Sequence, residues 1–275
     1  MPTISTNGVE LNYIREGAGE PVLLVPGLLF GAKHWRPQID ALKDEYDVIA
    51  VDLRGQHGSQ TTDDPAAYDM WAQMEDVYGL IQQLGIAPVH YVGLSMGGFI
   101  GMRMALKHPE ALRDLVLIDT TDLPENPELA ALYEAWRQIV WDGALEDVIS
   151  ALPATFFKQE FIDGQPDKVE AWLDDLRAGN HRGSVLASRG VDTRDDISDR
   201  TPEISLPTLV VHGTDDAAVP LERGEALAAR IPGARLEKVE GAGHQSNVDT
   251  PDEISRIIKD WLAEVRQTST AGAAG

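Results

Sequence analysis

The apolar positions of this chain follow two alternating patterns. Short unbroken apolar runs end at glycine, proline or aspartate, and longer stretches follow in which apolar side chains recur three and four residues apart. The first pattern reads as buried strand and the second as amphipathic helix. Thr3–Thr6 and Val9–Glu16 flank Asn7-Gly8, a pair whose tolerance of positive φ suits a tight hairpin turn. Strands are expected over Pro21–Val25, Asp47–Val51, Val89–Val92, Leu115–Ile118, Pro207–Val211 and Arg235–Val239. Helices are expected over Ala32–Lys43, Ala67–Leu84, Met96–His108, Leu221–Arg230 and Glu253–Val265. Within the second of these, Met70, Trp71, Met74, Val77, Tyr78 and Ile81 fall on one face.

Strands alternating with helices imply a mostly parallel sheet covered on both faces, with the hairpin adding antiparallel strands at one edge. The alternation stops between Pro124 and Arg200. Short helical stretches there carry Trp136, Ile139, Val140, Trp141, Phe156, Phe157, Phe161 and Trp172. Residues 124–200 are therefore expected to form an inserted helical cap on a core of residues 1–123 and 201–266. The small, polar residues 267–275 are expected to form a disordered tail.

With 275 residues, 43% of them hydrophobic, the chain can bury one large core. It has no cysteine, which excludes disulfides, thiolate metal sites and cysteine nucleophiles. No apolar run reaches the ~20 residues needed to span a bilayer. Met1–Glu20 lacks the basic and apolar regions of a secretory signal, so a cytoplasmic location without membrane attachment is expected. The net charge of −22 speaks against nucleic acid as a partner and disfavours polyanionic substrates unless a local basic group compensates.

The chemistry concentrates at Gly93-Leu94-Ser95-Met96-Gly97, where an apolar strand gives way to a helix. A serine on a sharp strand-to-helix turn projects its oxygen above the sheet, and glycines two residues either side relieve the crowding. The same turn places the Met96 N–H at a helix N-terminus, facing the position of a developing oxyanion. A serine hydroxyl needs a base, and the base needs an orienting carboxylate. Asp215 and Asp216 follow the strand Pro207–Val211, and His244 follows Arg235–Val239. Both loops lie beyond carboxyl ends of strands, the edge where open α/β sheets place their sites. No histidine and carboxylate spacing suggests a metal site, and the glycines after residue 93 lack the Lys-Ser/Thr of a phosphate-binding loop.

Taken together, these segments resemble the α/β-hydrolase fold family, and in layout its capped carboxylesterases and enol-lactonases. Pro26–Leu29 is similar to the family's oxyanion loop, although His-Gly often stands there. Asp52-Leu53-Arg54-Gly55-Gln56-His57-Gly58-Ser59 matches a family loop, and Met96-Gly97-Gly98 the segment after the nucleophile. Gly213-x-x-Asp216-x-x-x-Pro220 matches the acid loop and Gly243-His244 the base loop, while Asp249 stands where glutamate is frequent. The resemblance implies an eight-stranded, mostly parallel sheet. It assigns Ser95 as nucleophile, His244 as base and Asp216, in preference to Asp215, as the orienting acid. It implies an oxyanion hole from the N–H groups of Leu28 and Met96; the aromatics of the insertion suggest a largely apolar pocket, with Trp136 and Phe157 as expected substrate contacts.

The activity implied is hydrolysis of a small carboxylic ester or lactone through an acyl-serine, with no cofactor and no metal, by a monomer or homodimer. Carbon–carbon bond hydrolysis, cofactor-free perhydrolase activity and a non-catalytic ligand receptor are alternatives on the same layout. Dehalogenases and epoxide hydrolases of this layout use aspartate where Ser95 stands.

Overall fold

The computed structural model describes residues 1–273. Eight strands form one sheet in the order β1-β2-β4-β3-β5-β6-β7-β8. They are β1 (Thr3–Thr6), β2 (Val9–Gly17), β3 (Glu20–Val25), β4 (Tyr46–Val51), β5 (Val89–Leu94), β6 (Leu112–Ile118), β7 (Thr208–Gly213) and β8 (Arg235–Val239). β1 pairs antiparallel with β2, and β2 with β4; every later pairing is parallel. The central strands β4, β5 and β7 are buried along their whole length, which is why they read as unbroken apolar runs.

Helices cover both faces. α1 (Arg36–Leu42), α2 (Met70–Leu84) and α3 (Met96–Lys107) lie in the first half of the chain. The expected helix from Ala32 divides in two: a 3-10 turn over Ala32–Trp35 precedes α1, and Pro37 sits in the first turn of α1. α2 ends at Gly85, whose φ of 64° supplies the left-handed cap. Two apolar clusters result. One packs α2 and α3 with Leu23, Ile49, Tyr91 and Leu117, and the other packs α1 and the closing helix with Leu24, Val48, Val92 and Val211.

Between β6 and β7 the chain forms six α-helices, α4 (Pro127–Trp141), α5 (Glu146–Ile149), α6 (Pro153–Phe156), α7 (Gln159–Gly164), α8 (Pro166–Ala178) and α9 (His181–Asp192), and a 3-10 turn over Thr201–Glu203. Their aromatic residues converge on the loop after β3. Phe30 stacks on Trp172 at 5.1 Å and meets Phe156 edge-on at 5.5 Å. α10 (Leu221–Arg230), α11 (Ser246–Asp249) and α12 (Pro251–Ala273) complete the fold. α12 is longer than its sequence signal. It continues through residues 267 to 273 of the expected disordered tail; the rest of that tail, 274 and 275, lies outside the described residues. Among the described residues, no helix is long and apolar enough to cross a membrane.

Candidate active site

Ser95 occupies the turn between β5 and α3 with φ 50° and ψ −111°, a conformation non-glycine residues rarely adopt. Such geometry costs on the order of 1–3 kcal/mol and persists only where its surroundings over-determine it. Here they do. The Ser95 N–H donates to the Ile118 carbonyl at 2.9 Å, and the Ser95 carbonyl accepts from Thr120 Oγ1 at 2.8 Å and Gly98 N at 2.8 Å. The flanking glycines are required by packing. A Cβ on Gly93 would lie 2.4 Å from the Gly97 carbonyl oxygen, and one on Gly97 would lie 2.2 Å from that of Val25.

The turn brings Ser95 Oγ to 2.9 Å from His244 Nε2. His244 Nδ1 lies 2.8 Å from Asp216 Oδ2. With Nδ1–H donating to the carboxylate, Nε2 is left to accept the serine hydroxyl proton. Asp216 is itself fixed, since its other oxygen accepts the N–H groups of Ala218 (2.9 Å) and Val219 (2.8 Å). All three side chains are buried, whereas Asp215 is exposed. Burial pulls the His244 pKa down, but the charge and hydrogen bond of Asp216, with Asp119 and Glu125 beyond, outweigh it. The pKa therefore lies above its ordinary 6.5.

Leu28 and Met96 border the same point. A Cβ on Gly27 would lie 3.2 Å from Ser95 Cβ, so the chain entering Leu28 runs directly beside the serine. Among the described residues, the N–H groups of Leu28 and Met96 donate to no other group. The Leu28–Leu29 turn is braced from the loop after β4. Gln56 Oε1 accepts the Leu29 N–H at 2.6 Å, and His57 Nε2 lies 3.2 Å from the Leu29 carbonyl oxygen. Asp52 accepts the Ala32 N–H at 2.7 Å. His34 accepts the Gly31 N–H at Nδ1, and burial, then the nearby His57, push its pKa down to about 3.

Asp119 is a residue the sequence reading missed. It follows β6 with φ 49° and is fully buried beside the loops that carry Asp216 and His244. It accepts the Gly213 N–H at 2.9 Å and the Ser246 hydroxyl at 2.6 Å. Burial, then the Asp216 charge, raise its pKa to about 6. The available signal was positional, because Asp119 stands at the carboxyl edge of the sheet, one residue beyond a core strand. Asp119, His212 and Asp216 come within 4.8 Å of one another, a grouping whose atoms are of metal-ligand type. Both carboxylates and His212 Nε2 are already engaged in hydrogen bonds to these loops, which an ion would have to displace.

The helical insertion contacts the site beside His244. Phe156 places its ring 5.9 Å from the His244 ring, and its carbonyl accepts the Gln245 N–H at 2.9 Å. Asp249 Oδ2 accepts both Gly243 N–H on the base loop and Lys158 N–H on the insertion, each at 3.1 Å. Burial pushes the Asp249 pKa up to about 7 against the pull of those two bonds. Trp136 lines a cavity of about 250 Å³ that begins at Leu28 and Phe156. Phe157 does not reach it. It lines a separate depression with His34 and Trp172; α6 ends at Phe156 and the backbone is extended at Phe157, although both rings pack against Phe30 and Trp172.

Residues 20–251 match the model of the alpha/beta hydrolase fold family. The chain is 29% identical over 261 residues to a protein of Stutzerimonas stutzeri whose name, RutD, proposes carbamate hydrolysis, covering 92% of this chain and 97% of that one. It is similar to a thermophilic esterase from Thermogutta terrifontis, with a TM-score of 0.88 and 31% identity over 96% of this chain and 97% of the other. It is also similar to the enol-lactonase from Burkholderia xenovorans LB400, with a TM-score of 0.88 and 27% identity over 95% and 100% of the two chains.

Proposed function

Because this chain belongs to the α/β-hydrolase fold family, we propose that it is a serine hydrolase that cleaves a carboxylic ester or lactone through an acyl-serine. The observation that carries this reading is the continuous path from Ser95 Oγ to His244 Nε2 at 2.9 Å and from His244 Nδ1 to Asp216 at 2.8 Å. The names of the similar proteins, an esterase, an enol-lactonase and a carbamate hydrolase, support acyl chemistry of this kind.

In this reading, Ser95 Oγ attacks the substrate carbonyl carbon while His244 Nε2 takes the hydroxyl proton. Asp216 holds the imidazole in the required tautomer and stabilises the imidazolium. The N–H groups of Leu28 and Met96 donate to the oxyanion; each such donor is worth about 3–4 kcal/mol at the transition state. His244 then protonates the departing alcohol oxygen. Water enters, loses a proton to His244, and attacks the acyl-serine, which releases the acid and restores Ser95. The insertion is the cap of this site, with Phe156 shielding His244 from solvent.

Steady-state hydrolysis of p-nitrophenyl acetate and butyrate tests the proposal. Turnover by the protein should fall by about 10⁴-fold or more in Ser95→Ala, because the nucleophile and its base act as a unit. Full turnover in that variant would contradict the mechanism.

A further inference from the structure

The cavity beside the triad has a chemical character that narrows the substrate, given the reading of Ser95 above. Its inner end is bounded by Leu28 and Phe156 and its walls by Trp136 and Val148. Its outer end reaches Leu132, which is 64% exposed. Asp147 is the one ionisable carboxylate in its lining, and no lysine or arginine lines it among the described residues. Of the nearby arginines, Arg137 pairs with Asp192 at 2.6 Å and Arg194 with Glu125 at 2.9 Å, while Arg223 lies in the neighbouring depression that shares Leu129 and Leu132 and donates to the Pro124 carbonyl at 3.2 Å.

Leu28 links this cavity to the chemistry. Its N–H is unengaged beside Ser95, and its side chain forms part of the cavity wall. A carbonyl whose oxygen sits on that N–H therefore has its carbon substituent next to the inner end of the cavity. We propose that this cavity takes the acyl chain of a neutral ester, and that the protein selects uncharged apolar acyl chains against chains carrying a second carboxylate. An anionic tail would leave water for an apolar wall, find no cation, and face Asp147 and a chain of net charge −22.

The test compares substrates identical at the reacting ester. Hydrolysis of p-nitrophenyl acetate, butyrate and hexanoate should show kcat/KM rising about three- to fourfold for each added CH₂, the value of burying a methylene. The p-nitrophenyl monoester of adipic acid, equal in chain length to the hexanoate, should be slower by at least about a hundredfold. Leu132→Lys, a change at an exposed position of the cavity mouth, should narrow that gap about tenfold. Equal rates for hexanoate and adipate monoester, or a gap untouched by Leu132→Lys, would overturn the proposal while leaving the serine mechanism intact. A readout independent of turnover is calorimetric binding of methyl hexanoate and monomethyl adipate to Ser95→Ala. Binding of the neutral ester at least tenfold tighter supports the cavity's selectivity even if no ester is hydrolysed, an outcome that would sink only the catalytic reading. Equal binding, or preference for the anion, overturns the selectivity itself.

Discussion

At the scale of single residues, the site depends on how one histidine is charged. Burial and Asp216 act on His244 in opposite directions, and Asp216 prevails, so the imidazole holds its proton above pH 6.5. Catalysis needs the neutral ring, and the acid limb of the kcat/KM profile should therefore lie above 6.5. Asp216→Asn removes the strongest influence raising this pKa and leaves burial in place. The limb should then move to lower pH while kcat falls by roughly 10³- to 10⁴-fold. A lowered rate with an unmoved limb would mean that Asp216 does not set the charge of His244. The three hydrogen-bonded residues proposed as catalytic could be picked out in the sequence because each sits at a strand end within a short local pattern: Ser95 between two glycines, Asp216 between Gly213 and Pro220, His244 after Gly243. Asp119 carries no such pattern. Its importance comes from contacts with Gly213 and Ser246, far along the chain, which only the folded sheet brings to it.

At the scale of elements, the strands were read well because burial on both sheet faces leaves unbroken apolar runs at β4, β5 and β7. The insertion was read as helical from its composition, but its contacts were not legible. Phe156 and Phe157 are neighbours in sequence and line different cavities, with α6 ending between them. The insertion and the base loop meet at Asp249, which binds one N–H from each. Its folded-state pKa of about 7 lies above the ordinary 3.8, so folding takes up a proton between those values. That contribution to stability is fully present below about pH 3.8 and is lost as pH rises through about 7. Asp249→Asn cannot ionise. Relative to the unaltered protein, its melting temperature should therefore gain a few degrees between pH 5 and pH 8, measured by scanning calorimetry. A difference independent of pH would show that Asp249 is ionised in neither state or in both.

At the scale of the whole molecule, a mostly parallel sheet supplies three loops at one edge, and the insertion between β6 and β7 packs against the loop that carries His244. The Leu28–Leu29 turn is held from a fourth direction by Gln56 and His57, so Ser95, Asp216, His244 and the unengaged N–H groups rest on separate elements of one core. On the proposed reading this division separates chemistry from selectivity: the core holds Ser95, His244 and Asp216 within hydrogen-bond distances, while the insertion shapes the cavity that an acyl chain would enter. On the same reading the strong negative charge would oppose anionic substrates at a distance as the cavity lining would at contact.

The central claim is that Ser95 forms a covalent acyl intermediate with the help of His244. Reaction with diethyl p-nitrophenyl phosphate, followed by intact mass measurement and peptide mapping, tests it most directly, because the phosphoryl group stays on an activated serine. The account predicts one adduct per chain, located on Ser95, absent in Ser95→Ala and strongly slowed in His244→Ala. An adduct on another residue, or labelling undiminished in Ser95→Ala, would contradict it.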